Sequence, residues 1–496
     1  MAQNMFLYLK KNLYNIIILL IIAFGLYLRI GFYLSGGPLW WDEILFGYNI
    51  ENRSFLQLFE KLDLVIVAPP LYMVFHKILQ QMFGSSTYVY RLLPLISGCL
   101  SLFLFLPLTK KFFHNKIPII LSLTLFSLNP CLIYYSAELR PYSFDVLIFI
   151  LTLLYFEKFQ INNWKNIICF SLIIYILPFC SFSSIIAIAA VLLTKLTETK
   201  SENIIKIIYF IFVLIISILS IFLIYQGSYS LMTNKIIFGS GFLQLSLKSF
   251  YKINSNFIQY LGYSVPISFI LFVSGIIYSL KNKINYSFLF LFCLLGCYLA
   301  SVLHIYTFAE RVILFLAPIF IIFISSNVNF NINFKQKLLL VPQALIIIIL
   351  IISVKQGIIF NLKQLPHKRF SVLEKNVTIK EIRKYNLKEA TTILSKYNDK
   401  TDEIISTLEF YIFLEYYNTF DKYNHKLKLY NGDYSFEELE NTLKNKKHNY
   451  WILDTYNYPT YNADLNYKFE KIFNKVGVKY KKHICPFSNV YYVQNI

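Results

Sequence analysis

The chain has 496 residues, 56% of them hydrophobic and 15% charged, with a formal net charge of +20. A soluble domain averages about 25% charged residues, so one soluble globular domain is excluded for the whole chain. Of the 47 Lys+Arg and 27 Asp+Glu, residues 1–357 hold 25 and 11, leaving 22 and 16 for residues 358–496. The basic excess thus lies in the apolar part, the pattern of cytoplasmic loops and not of a nucleic-acid binder.

In chain order, apolar runs long enough to cross a bilayer recur from residue 14 to residue 357. The expected spans are roughly 14–34, 91–109, 117–134, 142–157, 166–179, 182–194, 207–226, 263–280, 285–303, 309–326 and 338–357, about eleven in all. The first is too long for a signal-peptide core and no small-residue cleavage site follows it, so it reads as a retained helix. After it comes Gly37-Pro38-Leu39-Trp40-Trp41-Asp42-Glu43. Two adjacent carboxylates at a membrane exit are costly and mark a first candidate site. The next stretch, Ile44–Leu62, interleaves apolar with charged residues and predicts an amphipathic helix lying on the surface. Residues 69–83 open with Pro69-Pro70, are only about 15 long and contain His76 and Lys77. They fit an interfacial helix better than a span, with the prolines in its first turn.

Charge tests that choice. If 69–83 does not span, one side receives Lys10, Lys11, Lys110, Lys111, Lys116, Lys158, Lys165, Lys195, Lys200, Lys206, Lys281, Lys283, Lys335 and Lys337. The other receives Asp42, Glu43, Glu51, Glu60, Asp63, Glu138 and Glu310. The positive-inside rule then places the N-terminus in the cytoplasm and gathers three segments on the external face. These are the loop Trp40–Asp63, the turn Ser136-Ala137-Glu138-Leu139-Arg140-Pro141-Tyr142, and Phe308-Ala309-Glu310-Arg311.

Each segment carries a functional and a structural reading. Asp42 is a candidate general base, or an N-cap, or a structural partner of Arg140 or Arg29; Glu43 supports it or pairs with a base. Arg140 offers a planar donor fork to a phosphate, or forms an ion pair with Glu138 that locks two helices. Arg311 meets an anion at a helix start, either a phosphate or Glu310. Arg91, opening a span, raises the same question. His304 is a weaker candidate ligand. No Walker loop, HExxH, dinucleotide fingerprint or nucleophile elbow is present, so a nucleotide-sugar site has no support. Cys293 and Cys297 lie one helical turn apart with no His or acid beside them in the sequence, and read as packing residues. With Cys485 its only cysteine, the C-terminal region holds no internal disulfide.

Five motifs occur in order: Trp41-Asp42-Glu43, Ala68-Pro69-Pro70-Leu71-Tyr72, Arg91-Leu92-Leu93-Pro94, Tyr135–Tyr142, and Glu310-Arg311-Val312-Ile313-Leu314. Together they resemble the GT-C superfamily of integral membrane glycosyltransferases, in the bacterial branch related to dolichyl-phosphate-mannose protein mannosyltransferases and aminoarabinose transferases. The resemblance implies an α-helical polytopic protein of about eleven spans, with interfacial helices in its first external loop. It implies a polyprenyl-phosphate-linked sugar donor and inverting single displacement onto an acceptor hydroxyl. Lys/Asn/Ile-rich usage points to a low-GC bacterial genome and so to the outer face of the inner membrane, where a glycan, lipid or protein could be the acceptor. Asp42 and Glu43 would be catalytic. Arg140, Arg311 and Arg91 would bind the donor phosphate, and Glu138, Tyr142 and Glu310 would contact or orient the sugar. No cofactor is certain, and a divalent metal stays open. Ala68 stands where aminoarabinose transferases place a lysine, and Cys180-Ser181-Phe182-Ser183-Ser184 where many relatives carry a histidine, so no aminoarabinose donor is assigned.

Residues 358–496 alternate strand-like and helical runs. Asp402–Ser406, Tyr450–Asp454 and Val490–Val493 predict strands, and Phe436–Asn445 and Phe469–Val476 predict helices. That is a small external α/β domain. Its tyrosines Tyr411, Tyr416, Tyr417, Tyr456, Tyr458 and Tyr461 are candidates for stacking on sugar rings or for packing. The rival class is a transporter or flippase of a lipid-linked saccharide, which more often shows internal repeats with broken helices.

Overall fold

A computed structural model describes residues 2–35, 39, 41–63, 66–155, 164–198, 204–230, 265–282, 286–309 and 311–328, with isolated positions between 233 and 261. Toward the C-terminus it describes 403–407, 427–430, 436–444, 449–455, 464–485 and 488–494. The chain forms two compact units. One comprises Met1–Gly36 and Asn49–Arg369, the other Gly37–Tyr48 and Phe370–Ile496.

The first unit is helical. Its helices are α1 (Ala2–Leu34), the end of α2 (Trp41–Asn52), α3 (Pro70–Phe83), α4 (Thr87–Phe112), α5 (Lys116–Ser127), α6 (Pro130–Tyr135) and α7 (Tyr142–Tyr155). They are followed by α8 (Trp164–Cys180), α9 (Ser184–Glu198), α10 (Ile204–Ile224), α11 (Val265–Lys281), α12 (Ser287–Val302) and α13 (Ala317–Ser326). Among the described residues, Asn12–Leu34 and Thr87–Phe112 are long and apolar enough to cross a bilayer, and eight shorter apolar helices accompany them. Large apolar side chains point outward around this unit, among them Leu19, Leu20, Phe103, Leu172, Ile215, Phe222, Ile270 and Ile277. Apolar exposure on that scale suits lipid, not water. The last expected span, 338–357, lies outside the described residues.

Local chemistry sets the helix ends. The expected interfacial helix is α3: Pro69 stands at its cap, Pro70 in its first turn, and Gly84, at φ 80°, ends it by donating to the Gln80 carbonyl at 2.8 Å. The expected run 117–134 divides into two helices. Asn129 Oδ1 accepts from the backbone N–H groups of Cys131 and Leu132 at 3.0 and 3.1 Å, with Pro130 first in the new helix. Arg29 answers the other side of that break, donating to the carbonyls of Ser127 at 2.9 Å and Phe126 at 3.4 Å. The sequence left Arg29 as a possible mate of Asp42; its donors instead serve the open carbonyls that end α5.

Small residues let the helices approach. A Cβ on Gly98 of α4 would stand 2.5 Å from Ser136 Cβ, just ahead of α7. The Ser143 hydroxyl of α7 donates to the Pro94 carbonyl of α4 at 3.1 Å. On the far side, a Cβ on Gly275 of α11 would overlap the Phe323 carbonyl of α13. Since backbone must then give way, Gly275→Ala is expected to destabilise the protein by about 1–3 kcal/mol. A lowered denaturation midpoint in detergent is the measurement, with Gly296→Ala, unchanged or raised, as the control; Gly296 lies inside α12 and has only an ordinary contact at 3.6 Å.

The second unit contains a five-stranded mixed sheet of β1 (Glu403–Thr407), β2 (Leu427–Tyr430), β3 (Tyr450–Thr455), β4 (Lys479–Cys485) and β5 (Ser488–Gln494), in the order β2-β1-β3-β5-β4. β2, β1 and β3 run parallel; β5 lies antiparallel to both β3 and β4. Helices α14 (Phe436–Lys444) and α15 (Asp464–Val476) place Leu439, Leu443, Phe469 and Phe473 against Tyr450, Ile452, Tyr491 and Val493. Strand alternation sends Trp451 and Tyr492 to the opposite face, where their rings lie 4.6 Å apart. The six tail tyrosines named above lie outside the described residues.

Candidate functional site

Asp42 and Glu43 stand in the first turn of α2, where the helix dipole favours negative charge. Asp42 is partly exposed and Glu43 is fully buried. This separates the pair physically: one carboxylate reaches the surface, the other does not.

The expected amphipathic helix over Ile44–Leu62 is shorter than its pattern implied. α2 stops at Asn52, and a 3-10 turn follows at Gln57–Phe59. Ser54 and Gln57 explain the restart, because the Ser54 N–H donates to Gln57 Oε1 at 2.9 Å and the Gln57 N–H to Ser54 Oγ at 3.4 Å, a reciprocal capping box. Arg53 then grips Asp63 through two hydrogen bonds of 2.9 and 2.8 Å, which holds the Asp63 carboxyl below its usual range. Asn49 ties the same point twice, to the Asp63 N–H and carbonyl. The last turn of α2 is fixed by Lys77 Nζ on the Ile50 carbonyl at 2.8 Å and by the Tyr90 hydroxyl on Glu51 at 2.6 Å. The loop also lies over helix ends: the Phe59 carbonyl abuts Gly227 and its ring approaches Phe179 at 6.2 Å.

The turn from Ser136 to Pro141 leads from α6 into α7. Glu138 is 3% exposed, Arg140 is partly exposed, and the Arg140 N–H donates to the Glu138 carbonyl at 2.7 Å. Tyr142 is buried with its ring 4.9 Å from that of Tyr135. Arg91, in the first turns of α4, is 2% exposed. Arg311 is exposed and stands before a 3-10 turn at Leu314–Leu316. The sequence placed it at the start of a helix; α13 begins only at Ala317, with Pro318 in its first turn. Glu310 lies outside the described residues.

Tyr306 joins these turns. It is buried, and its hydroxyl donates to the Val312 carbonyl at 3.3 Å, so it holds the Arg311 turn. Burial pushes its phenol up, and the Asp145 carboxylate and the Tyr142 hydroxyl nearby push it further. The 3-10 turn after Arg311 packs on α7, the helix that Arg140 introduces. Both arginine turns are therefore mounted on α7.

Asp145 was not singled out in the sequence. It stands in the first turn of α7, 7% exposed, and accepts from the Ser181 hydroxyl at 2.6 Å. Ser183 lies 2.8 Å from Ser181. An acid inside an expected span was the available signal; its serines, 36 residues away, gave none until the fold joined them.

Two histidines differ in kind. His304, at φ 58°, packs on Phe242 with ring centres 4.8 Å apart. His76 is fully buried in α3 beside Tyr72, and neither ring nitrogen has a hydrogen-bond partner among the described residues. Burial lowers its pKa to about 3. An unfolded chain binds a proton there below its ordinary 6.5, while the folded chain does not. Stability is therefore full above pH 6.5 and falls as pH drops toward 3, by up to about 1.4 kcal/mol per pH unit. Denaturation midpoints across that window are expected to fall less steeply in His76→Phe. Among the described residues no three His, Cys, Asp or Glu side chains converge as metal ligands.

No family model and no curated protein matches the sequence. Among solved structures, the chain is similar to ArnT from Cupriavidus metallidurans bound to undecaprenyl phosphate, with TM-score 0.58, 8% identity and coverage of 96% of this chain and 98% of that one. For the same protein in the apo state the values are 0.55, 9%, 96% and 97%. It is also similar to the archaeal oligosaccharyltransferase AglB from Archaeoglobus fulgidus, in complex with an inhibitory peptide and a dolichol-phosphate, with TM-score 0.50, 10% identity and coverage of 90% and 70%. At such identities the likeness is one of fold alone.

Proposed function

We propose that the protein transfers a sugar from a polyprenyl-phosphate-linked donor to a hydroxyl of an acceptor glycan, lipid or protein, with inversion. The observation that carries this is the mounting of two arginine turns on α7, Arg140 just ahead of it and the Arg311 turn, held by Tyr306, through the 3-10 turn that packs on it. The solved proteins of the same fold contain undecaprenyl phosphate and dolichol-phosphate, which supports a lipid phosphate as the donor's carrier.

In this reading Asp42 removes the proton from the acceptor hydroxyl. The acceptor oxygen attacks the anomeric carbon, the bond from that carbon to the phosphate oxygen breaks, and polyprenyl phosphate leaves with the electron pair. Arg140, Arg311 and Arg91 hold the phosphate as its charge grows. Glu138, Tyr142 and Glu310 orient the arginines or the sugar, and Glu43 supports Asp42. The protein is multi-pass in a bacterial inner membrane, its N-terminus is cytoplasmic, and about eleven spans place the site and the α/β unit outside. The acceptor arrives from that side.

Reconstitution in liposomes with an undecaprenyl-phosphate-linked sugar and a lipid or peptide acceptor tests this. Release of undecaprenyl phosphate matched by glycosylated acceptor is expected. Movement of labelled donor between leaflets without transfer would instead make the protein a flippase.

A further inference from the structure

Asp145 is a buried carboxylate whose setting the phosphate chemistry leaves unused. Ser181 spends its one proton on Asp145, so Ser183 must donate to Ser181, which fixes the direction of both bonds. Ser181 also takes only one of the roughly four acceptor positions a carboxylate offers, and it is the only side-chain hydrogen-bond partner of Asp145 among the described residues. Ser181 and Ser183 fill the break between α8 and α9, both fully buried. Interrupted helices and intramembrane acids are costly, and they persist where they line a path or a ligand.

The surroundings indicate which ligand. Tyr142 and Tyr306 lie nearby, and Asp145 begins the helix whose preceding turn carries Arg140. A carboxylate with open acceptor positions, small hydroxyls and aromatic rings is the chemistry that binds a polyol: acceptors and donors for its hydroxyls, apolar faces for its C–H edges.

We propose that Asp145, oriented by Ser181 and Ser183, is the recognition point for a ring hydroxyl of the donor sugar. This rests on the transferase reading. It adds that the sugar is selected on α7, three residues past Tyr142, separately from the phosphate.

The test uses full-length protein in nanodiscs and two probes, undecaprenyl phosphate alone and undecaprenyl phosphoglucose, with phosphomannose and phosphoarabinose donors as further arms. Asp145→Asn keeps an acceptor for Ser181. It is expected to leave the affinity for undecaprenyl phosphate within about twofold. For the best sugar-bearing donor it is expected to weaken binding roughly ten- to hundredfold, as for loss of a hydrogen bond to a charged group. Wild type should also reject one monodeoxy analogue of that donor, and the variant should accept it equally. Equal weakening for carrier and donor, or unchanged discrimination in Asp145→Asn, overturns the proposal while transfer by wild type stands. If wild type neither binds nor uses any sugar-bearing donor, the transferase reading itself falls, and the proposal with it. Should Asp145→Asn fail to fold, Ser183→Ala serves: a several-fold loss confined to sugar-bearing donors supports the proposal, and none overturns it.

Discussion

Asp42→Asn is expected to lower the turnover of sugar transfer by about 10²–10⁴-fold, the usual contribution of a positioned general base, with donor affinity unchanged. Asparagine keeps the size and polarity of the side chain and its place in the first turn of α2, so a fall in turnover reports loss of the proton acceptor and not loss of fold. Glu43→Gln should differ. Glu43 is fully buried, and changing it should lower stability as well as rate, visible as a reduced denaturation midpoint. Single-turnover transfer with preloaded donor makes the comparison cleanly. Transfer by Asp42→Asn at the wild-type rate removes Asp42 as the base.

Arg140→Ala is expected to cost about 10²–10³-fold in turnover, roughly 2.7–4 kcal/mol of transition-state stabilisation. The leaving phosphate gains charge as the glycosidic bond breaks, so a fixed guanidinium acts more strongly on the transition state than on the bound donor. Arg140→Lys should recover only part, since an ammonium keeps the charge and loses the planar fork. Arg311→Ala should cost less, because Arg311 is exposed and solvent weakens its field. A donor panel with different leaving phosphates would separate the two: the Arg140 variants should respond more steeply to leaving-group acidity. Equal loss in binding and turnover for Arg140→Ala would make it a docking residue only.

The parts of the molecule legible in the sequence were those with a strong one-dimensional signature. Long apolar runs gave most of the helices because a bilayer-length stretch has few alternatives. Pro69-Pro70 and the length of the run marked α3 as a separate, shorter helix. Glu138 and Arg140 stood out because charge at a span end is unusual. Other features depended on local competition. Hydropathy runs unbroken across Asn129-Pro130, since it does not see a side chain capping a new helix. The amphipathic pattern over Ile44–Leu62 runs past the end of α2, where the capping box at Ser54 and Gln57 interrupts the helix. β2 and β4 carry weak signatures: one has four residues, and three of the other's seven are lysines. Asp145 was legible only as a lone acid, because its meaning comes from serines on another helix junction.

The position of β4 in the sheet has a consequence for the soluble unit. Among the described residues it is an edge strand, hydrogen-bonded to β5 on one side. Three of its seven residues are Lys479, Lys481 and Lys482, and Lys482 is further occupied by Glu470 at 2.8 Å. A second chain adding itself as a strand there would have to bring its own backbone alongside three ammonium groups and strip their water. Such charge on a border strand is how β-proteins discourage self-association. The lysines that made this segment hard to recognise as a strand therefore guard it against sheet-to-sheet aggregation.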